Sequence, residues 1–152
     1  EIQQHFGVPV TVQGDESLAE QMIYNLVSNA IKYNKEGGIV RVTIAPQVAP
    51  SQSTQADAGG GEAAASGEGE LVSFACAPTH ACIAVDDEGP GIPPEMRERV
   101  FERFFRLDSS RSRETGGTGL GLAIVKHAAL SLGGTVHVED SDLGGSRFVV
   151  EL

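Results

Sequence analysis

Apolar residues return along this chain with two different periods, and the switches between them outline a fold. Between Glu16 and about Tyr33, Leu18, Met22, Leu26 and Ala30, flanked by Ile23, Val27 and Ile31, recur at the three-to-four-residue spacing of a helical face. Asp15 stands where a capping side chain belongs, and Gly37-Gly38 stops the pattern, so a long helix is predicted over this stretch. Val8 to Val12 alternates like a strand before it, and Ile39 to Ala45 reads as a strand after it. Strand character returns at Leu71 to Cys76 and at Cys82 to Val85, with Pro78-Thr79-His80 between them as a hairpin turn. Pro93-Pro94 suits a helix start, and Met96, Val100, Phe101, Phe104 and Phe105 then share a face, which predicts a short helix from Glu95 to about Arg106. Leu107 to Thr118 is polar and turn-rich. An apolar helix follows from Leu120 to Leu132, closed by Gly133-Gly134, and strands Thr135 to Glu139 and Arg147 to Leu152 flank a D-S-D-L-G-G turn.

Strands outnumber helices, and each helix is apolar along one stripe only. That combination predicts a two-layer α/β sandwich, one sheet covered on one face by about three helices. From Pro46 to about Gly69 the chain is built of Ala, Gly, Ser, Gln, Glu and Pro with hardly a large apolar side chain. Such a stretch cannot offset its ordering entropy by burial, so 46–69 is expected to be a disordered insertion in a meander of strands. A domain boundary there is the competing reading, but neither half has enough apolar surface for a core of its own. With 152 residues, 40% of them apolar, residues 1–152 are expected to form one domain.

Composition narrows the function. A formal charge of -10 argues against a general nucleic-acid or anionic-membrane binder, because those partners require clustered Lys and Arg. No window reaches the length of a spanning helix, and the first residues (EIQQHFGVPV) lack the layout of a signal peptide, so the chain is expected to be soluble. Cys76, His80 and Cys82 offer three metal ligands near one turn without a fourth. They read better as two strand cysteines, free thiols of a reducing compartment, and an exposed turn histidine.

Three features carry chemistry. Asp87-Glu88-Gly89-Pro90-Gly91-Ile92 places a carboxylate at a strand end with glycines two and four residues later. It fits a plain tight turn, or a site where a planar ligand approaches the backbone and the carboxylate accepts a hydrogen bond from an amine. Gly116-Gly117-Thr118-Gly119-Leu120-Gly121 opens a helix, where free N–H groups and the positive dipole end suit a phosphate chain; as a lone motif it equally fits a hinge. Asn25, Asn29, Lys32 and Tyr33 lie on one face of the first helix. A solvated polar face is the plain alternative, but two stacked asparagines, poor helix formers, one turn from a lysine are an odd choice for one.

In their order and spacing these pieces resemble the ATP-binding catalytic domain of bacterial sensor histidine kinases, and the likeness covers nearly the whole chain. N-L-V-S-N-A-I-K-Y (Asn25 to Tyr33) resembles the family's N box and D-E-G-P-G-I its first glycine box. R-V-F-E-R-F-F-R (Arg99 to Arg106) is similar to its F box, G-G-T-G-L-G-L-A-I-V-K (Gly116 to Lys126) to its second glycine box, and G-G-S-R-F (Gly144 to Phe148) to its closing glycine motif. The resemblance implies the Bergerat fold, a mixed, mostly antiparallel sheet of about five strands under a helical layer.

It further implies that Asp87 bonds the adenine amine, that Gly89, Gly91, Ile92 and Tyr33 shape the base pocket, and that Ser146 lies near the base. Asn29 would ligate Mg2+, Asn25 and Lys32 would meet the phosphates, and Gly117, Thr118, Gly119, Leu120 and Gly121 would wrap them. Leu107 to Thr118 would be a mobile lid whose Arg111 and Arg113 reach the γ-phosphate. The implied partners are a histidine-bearing dimerisation domain, on which Phe101, Phe104 and Phe105 help the domain dock if they are not simply core, and a response regulator. The implied setting is cytoplasmic, with the domain itself monomeric and away from the membrane. Two departures stand out: the long 46–69 stretch, and the lack of a histidine box around His5, His80, His127 or His137, which puts the phosphoacceptor outside this chain. Gyrase- and chaperone-type ATPases of the same superfamily carry a water-activating glutamate where this chain has Asn25, which disfavours hydrolysis. A module that binds ATP without turning it over stays open.

Overall fold

The computed structural model describes residues 1–7, 9–47, 80–107 and 117–152. Five strands form one sheet in the order β1-β2-β3-β5-β4: β1 (Ile2–Phe6), β2 (Val40–Gln47), β3 (His80–Asp87), β4 (Thr135–Asp140) and β5 (Ser146–Glu151). β1 runs parallel to β2, and every other pairing is antiparallel. Two α-helices, α1 (Glu16–Tyr33) and α2 (Gly121–Ser131), pack side by side over one face, joined there by two 3₁₀ turns, Pro94–Met96 and Arg99–Phe101. This is the mixed, mostly antiparallel two-layer sandwich expected, with a helical layer of two α-helices and two 3₁₀ turns among the described residues.

Strand register explains the core. Val42 pairs with Val85, Val85 with Phe148, and Phe148 with Val138, so one row of apolar side chains crosses four strands. Ile44, Ile83, Val150 and Val136 form the next row. Because side chains alternate across a pleated sheet, both rows face the helices, where Met22, Leu26 and Ala30 of α1 meet Val125, Ala128 and Ala129 of α2. Phe101 and Phe148 pack edge to face, with centroids 6.3 Å apart at 87°.

α1 begins as its cap predicts: the Ser17 N–H donates to Asp15 Oδ1 at 2.8 Å. Other expectations need correction. The first strand is Ile2–Phe6, and residues 9–12, the described part of the stretch expected to be a strand (Val8 to Val12), are not one; the edge of β2 is filled by Ile2–Phe6, Gly7 N–H donates to Ile44 O just beyond it, and Pro9 has no N–H to offer. β2 runs on through Pro46 and Gln47, where the insertion is expected to begin. Pro46 is accommodated because its nitrogen faces the β1 side beyond the end of that strand. His80 is the first residue of β3 and not part of a turn, and β3 is paired with β2 on one edge and β5 on the other. A hairpin partner within this sheet has no edge of β3 left to occupy. Leu71 to Cys76 and residues 48–69 lie outside the described residues.

The helix expected over Glu95 to about Arg106 is instead the pair of 3₁₀ turns, the second ended by extended backbone at Glu102 (ψ 146°). Phe104 takes φ 65°, alone among the described non-glycine residues in being positive, and its N–H donates to Gly119 O at 2.8 Å. A tertiary contact thus overrides a helical pattern. Phe101 is buried, Phe105 half-buried and Phe104 71% exposed, so the three rings do not share a single role.

Candidate functional site

The end of β3, the end of α1, the start of α2 and the β4–β5 turn meet at one edge of the helix–sheet interface. Asp87 lies in the same transverse row as Val40, facing the helical layer, and is only 5% exposed. Its Oδ1 accepts two backbone N–H groups, from Gly89 at 2.8 Å and Ser146 at 3.0 Å. Oδ2 accepts none among the described residues, which leaves one lone-pair edge for an incoming donor. Burial, opposed by those two hydrogen bonds, pushes the Asp87 carboxyl above the ordinary aspartate value, and neighbouring Asp86 adds to the rise.

The glycines around this carboxylate are packed to backbone distance. A Cβ on Gly145 would stand 2.6 Å from Gly89 N and closer still to Asp87 Oδ1 and O, and one on Gly89 would stand 2.6 Å from Tyr33 O. Gly91 has φ 74°, a left-handed conformation that suits glycine. Ile92 packs against the core, and its carbonyl accepts from Arg97 Nε at 3.2 Å while Arg97 also pairs with Asp140. Asp86 points to the opposite sheet face, where Ser141 Oγ donates to its Oδ1 at 2.9 Å. With Arg41 on Asp142, that bond pins the turn that delivers Ser146 N to Asp87.

A second group of residues forms where α2 begins. A Cβ on Gly121 would lie 3.0 Å from Asn25 Oδ1 and 3.4 Å from Asn29 Nδ2, so the asparagine pair faces the first turn of α2. Asn25 Nδ2 donates back to Gln21 O at 2.7 Å, which turns its oxygen toward that turn. A Cβ on Gly117 would lie 2.6 Å from Lys32 Nζ and 3.3 Å from Tyr33 OH. Leu120 supplies no capping side chain to α2, so no side-chain cap covers the positive end of that helix among the described residues. Lys32, Tyr33, Asn25, Asn29, Gly117 and Gly121 thus converge, with Tyr33 touching both halves of the site: its carbonyl lies by Gly89 and its hydroxyl by Gly117.

Gly119 (φ 71°) would place a Cβ 2.8 Å from Phe104 Cα, which explains a glycine there by packing. Thr118 is exposed and Leu120 half-buried beside it. Arg111 and Arg113 lie outside the described residues. Cys82 is a half-buried strand thiol raised above its ordinary value chiefly by burial. Among the described residues no three His, Cys, Asp or Glu side chains converge to hold a metal, so a divalent cation at this site would need ligands from the phosphates beside an amide oxygen such as that of Asn29.

Reading the sequence did not single out Asn34, Glu88 or Arg97 as site residues. Each acts through partners brought close only by the fold, and no local pattern marks them.

Residues 14–152 match the family model described as histidine kinase-, DNA gyrase B-, and HSP90-like ATPase. The sensor-like histidine kinase SenX3 of Mycobacterium tuberculosis is 40% identical over 141 residues, 93% of this chain and 27% of that protein. The sensor protein RstB of Escherichia coli is 62% identical over 68 residues, 45% of this chain and 16% of that one. This chain therefore spans about a quarter or less of these relatives' length. Among solved structures, the mycobacterial sensor histidine kinase MprB superposes with a TM-score of 0.66 at 32% identity, over 99% of this chain and 80% of that one. No described helix is long and apolar enough to cross a membrane. With the model match running from just before α1 to the last residue, the chain belongs to the family of histidine kinase-, DNA gyrase B- and HSP90-like ATPases.

Proposed function

We propose that this chain binds Mg-ATP and delivers the γ-phosphoryl group to a histidine on a separate dimerisation domain, the catalytic step of a sensor kinase in two-component signalling. The observation that carries this reading is the convergence of a buried carboxylate with one free edge, Asp87, and an Asn25–Asn29–Lys32 face set against a glycine-opened helix. One half suits an amine on a planar base, the other a polyphosphate. The carboxylate edge orients the base, Tyr33 bridges to the phosphates, and Lys32 with the α2 N–H groups neutralises them. Magnesium, when bound, adds charge neutralisation on the phosphate oxygens, with Asn29 as its protein ligand. Arg111 and Arg113 are proposed to act on the γ-phosphate, and a response regulator is the proposed downstream partner in a cytoplasmic setting.

Transfer is favoured over hydrolysis because the helix position facing Gly121 holds Asn25, an amide with no basic group to take a proton from water. Positioning and charge neutralisation then carry the reaction, with the nucleophile supplied from outside. Calorimetric titration with ATP, with and without magnesium, tests the site. Magnesium-dependent binding that largely loses its dependence in Asn29→Ala is expected; failure of the parent chain to bind ATP in either condition would overturn the reading.

A further inference from the structure

The turn that carries Asp87 and the helix end that carries Tyr33 are far apart in sequence, yet both must stay in register for one base to meet them. Asn34, the residue after α1, has extended backbone (φ -68°, ψ 163°), and both ends of its amide are used. Oδ1 accepts the Lys35 N–H at 2.9 Å and the Glu88 N–H at 3.2 Å, and Nδ2 donates to Ile39 O at 3.0 Å. Glu88 closes the ring from the other side: its Oε2 accepts the Ile39 N–H at 2.8 Å and its Oε1 pairs with Lys35 Nζ at 3.1 Å. Gly38 makes room, since a Cβ there would lie 2.5 Å from Asn34 Oδ1. One amide and one carboxylate thereby tie together the end of α1, the start of β2 and the peptide that follows Asp87.

We propose that Asn34, with Glu88 as its second arm, is a positioning residue for purine discrimination: it sets the Asp87 carboxylate relative to Tyr33, and so how well the site separates 6-amino from 6-oxo purines. The proposal rests on the adenine reading of Asp87 and deepens it. The polar atoms of Asn34 and Glu88 are engaged within the clasp itself, so the role assigned to them is indirect. A hydrogen bond weakens steeply as its angle and distance drift, whereas the phosphate contacts are shared by both kinds of purine nucleotide. Loosening the clasp therefore erodes the amine-specific part of binding and spares the common part.

The experiment measures ATP and inosine triphosphate affinities of the full chain by calorimetry, alongside thermal unfolding. Asn34→Ala is expected to lower the ATP-to-ITP affinity ratio roughly tenfold, the scale of one mispositioned hydrogen bond to a charged acceptor, with ITP binding little changed. Glu88→Ala moves the ratio the same way, while Glu88→Gln, which keeps an acceptor for the Ile39 N–H, retains the parent ratio. A lowered melting temperature with the ratio held within about twofold would make Asn34 mere scaffold and overturn the proposal. Should Asn34→Ala fail to fold, the Glu88 pair decides: equal ratios in the Ala and Gln variants overturn it. A parent chain without preference for ATP over ITP refutes the adenine reading and this proposal with it, whereas a selective parent with insensitive variants refutes the clasp alone.

Discussion

Replacing Asp87 by asparagine changes one atom and reverses what the base pocket accepts. In the native site Oδ1 takes two backbone N–H donors at 2.8 and 3.0 Å. The substituted amide must keep its oxygen there, since the flipped amide would set its NH₂ against both donors. Its nitrogen then occupies the place of Oδ2 and faces the adenine amine, donor against donor. The loss of a hydrogen bond to a charged acceptor costs about 1.5–3 kcal/mol, and a buried donor left unmatched about 1–3 more. With Asp87 only 5% exposed, solvent screens little of this. The sum, about 2.5–6 kcal/mol, corresponds to a loss of ATP affinity of roughly two to four decades. Inosine triphosphate presents a carbonyl in place of the amine and should bind Asp87→Asn better than it binds the parent. The fold should be spared, because both N–H groups keep an acceptor and a neutral amide avoids the desolvation that lifts the carboxyl. Calorimetry with the two nucleotides checks this, and equal losses for both, or unchanged ATP binding, would refute the pairing of Asp87 with the base.

Three further outcomes follow from the same geometry. Asp87 accepts the amine as a carboxylate and its pKa is raised, chiefly by burial, so ATP affinity should fall on acidification at a pH above the ordinary aspartate value of about 3.9. The ionised group costs the fold stability, so protonation of Asp87 does not itself weaken the free domain over that interval; subtracting the Asp87→Asn profile removes titration of the phosphates and of the other carboxylates, and identical profiles would contradict the assignment. Gly145→Ala puts a methyl against the backbone of Asp87 and Gly89 and should lower both ATP affinity and melting temperature, which parent-like values of both would contradict. Phe101→Ala should cost about 3–5 kcal/mol, roughly 10 °C or more of melting temperature. Phe104→Gly should cost nothing, because relief of about 1–2 kcal/mol of left-handed strain meets about 0.5–1 kcal/mol of added chain freedom; calorimetric melting separates the two rings.

Much of the architecture was legible because local and global signals agree. α1 shows helical spacing, a capping aspartate and a glycine stop at once, and its Asn25, Asn29 and Lys32 face is where the pattern puts it. β1 was misplaced because its residues are mostly exposed and it lies at a sheet edge beside a single parallel neighbour, so it lacks the alternation that burial imposes. Val8 to Val12 carries that alternation in sequence, but its described residues, 9–12, form no strand. The helix expected through Phe104 failed because a backbone contact to Gly119, fifteen positions on, fixes φ at 65°. Asp87, Gly89 and Gly121 were readable as motif, but the reason Gly145 must be glycine was not: it lies in the backbone of Asp87 and Gly89, more than fifty residues earlier. Asn34 and Glu88 stayed hidden for the same cause, since an amide at a helix end shows nothing of the strand it will bond.

The most direct test is incubation of this chain with γ-labelled ATP and magnesium, alone and with a histidine-bearing helical dimerisation domain from the matching kinase. The account predicts little ATP consumption by the chain alone, and with the partner an acid-labile, base-stable label on that partner and none on His5, His80, His127 or His137. Rapid ATP hydrolysis without the partner, or label on this chain, would contradict it.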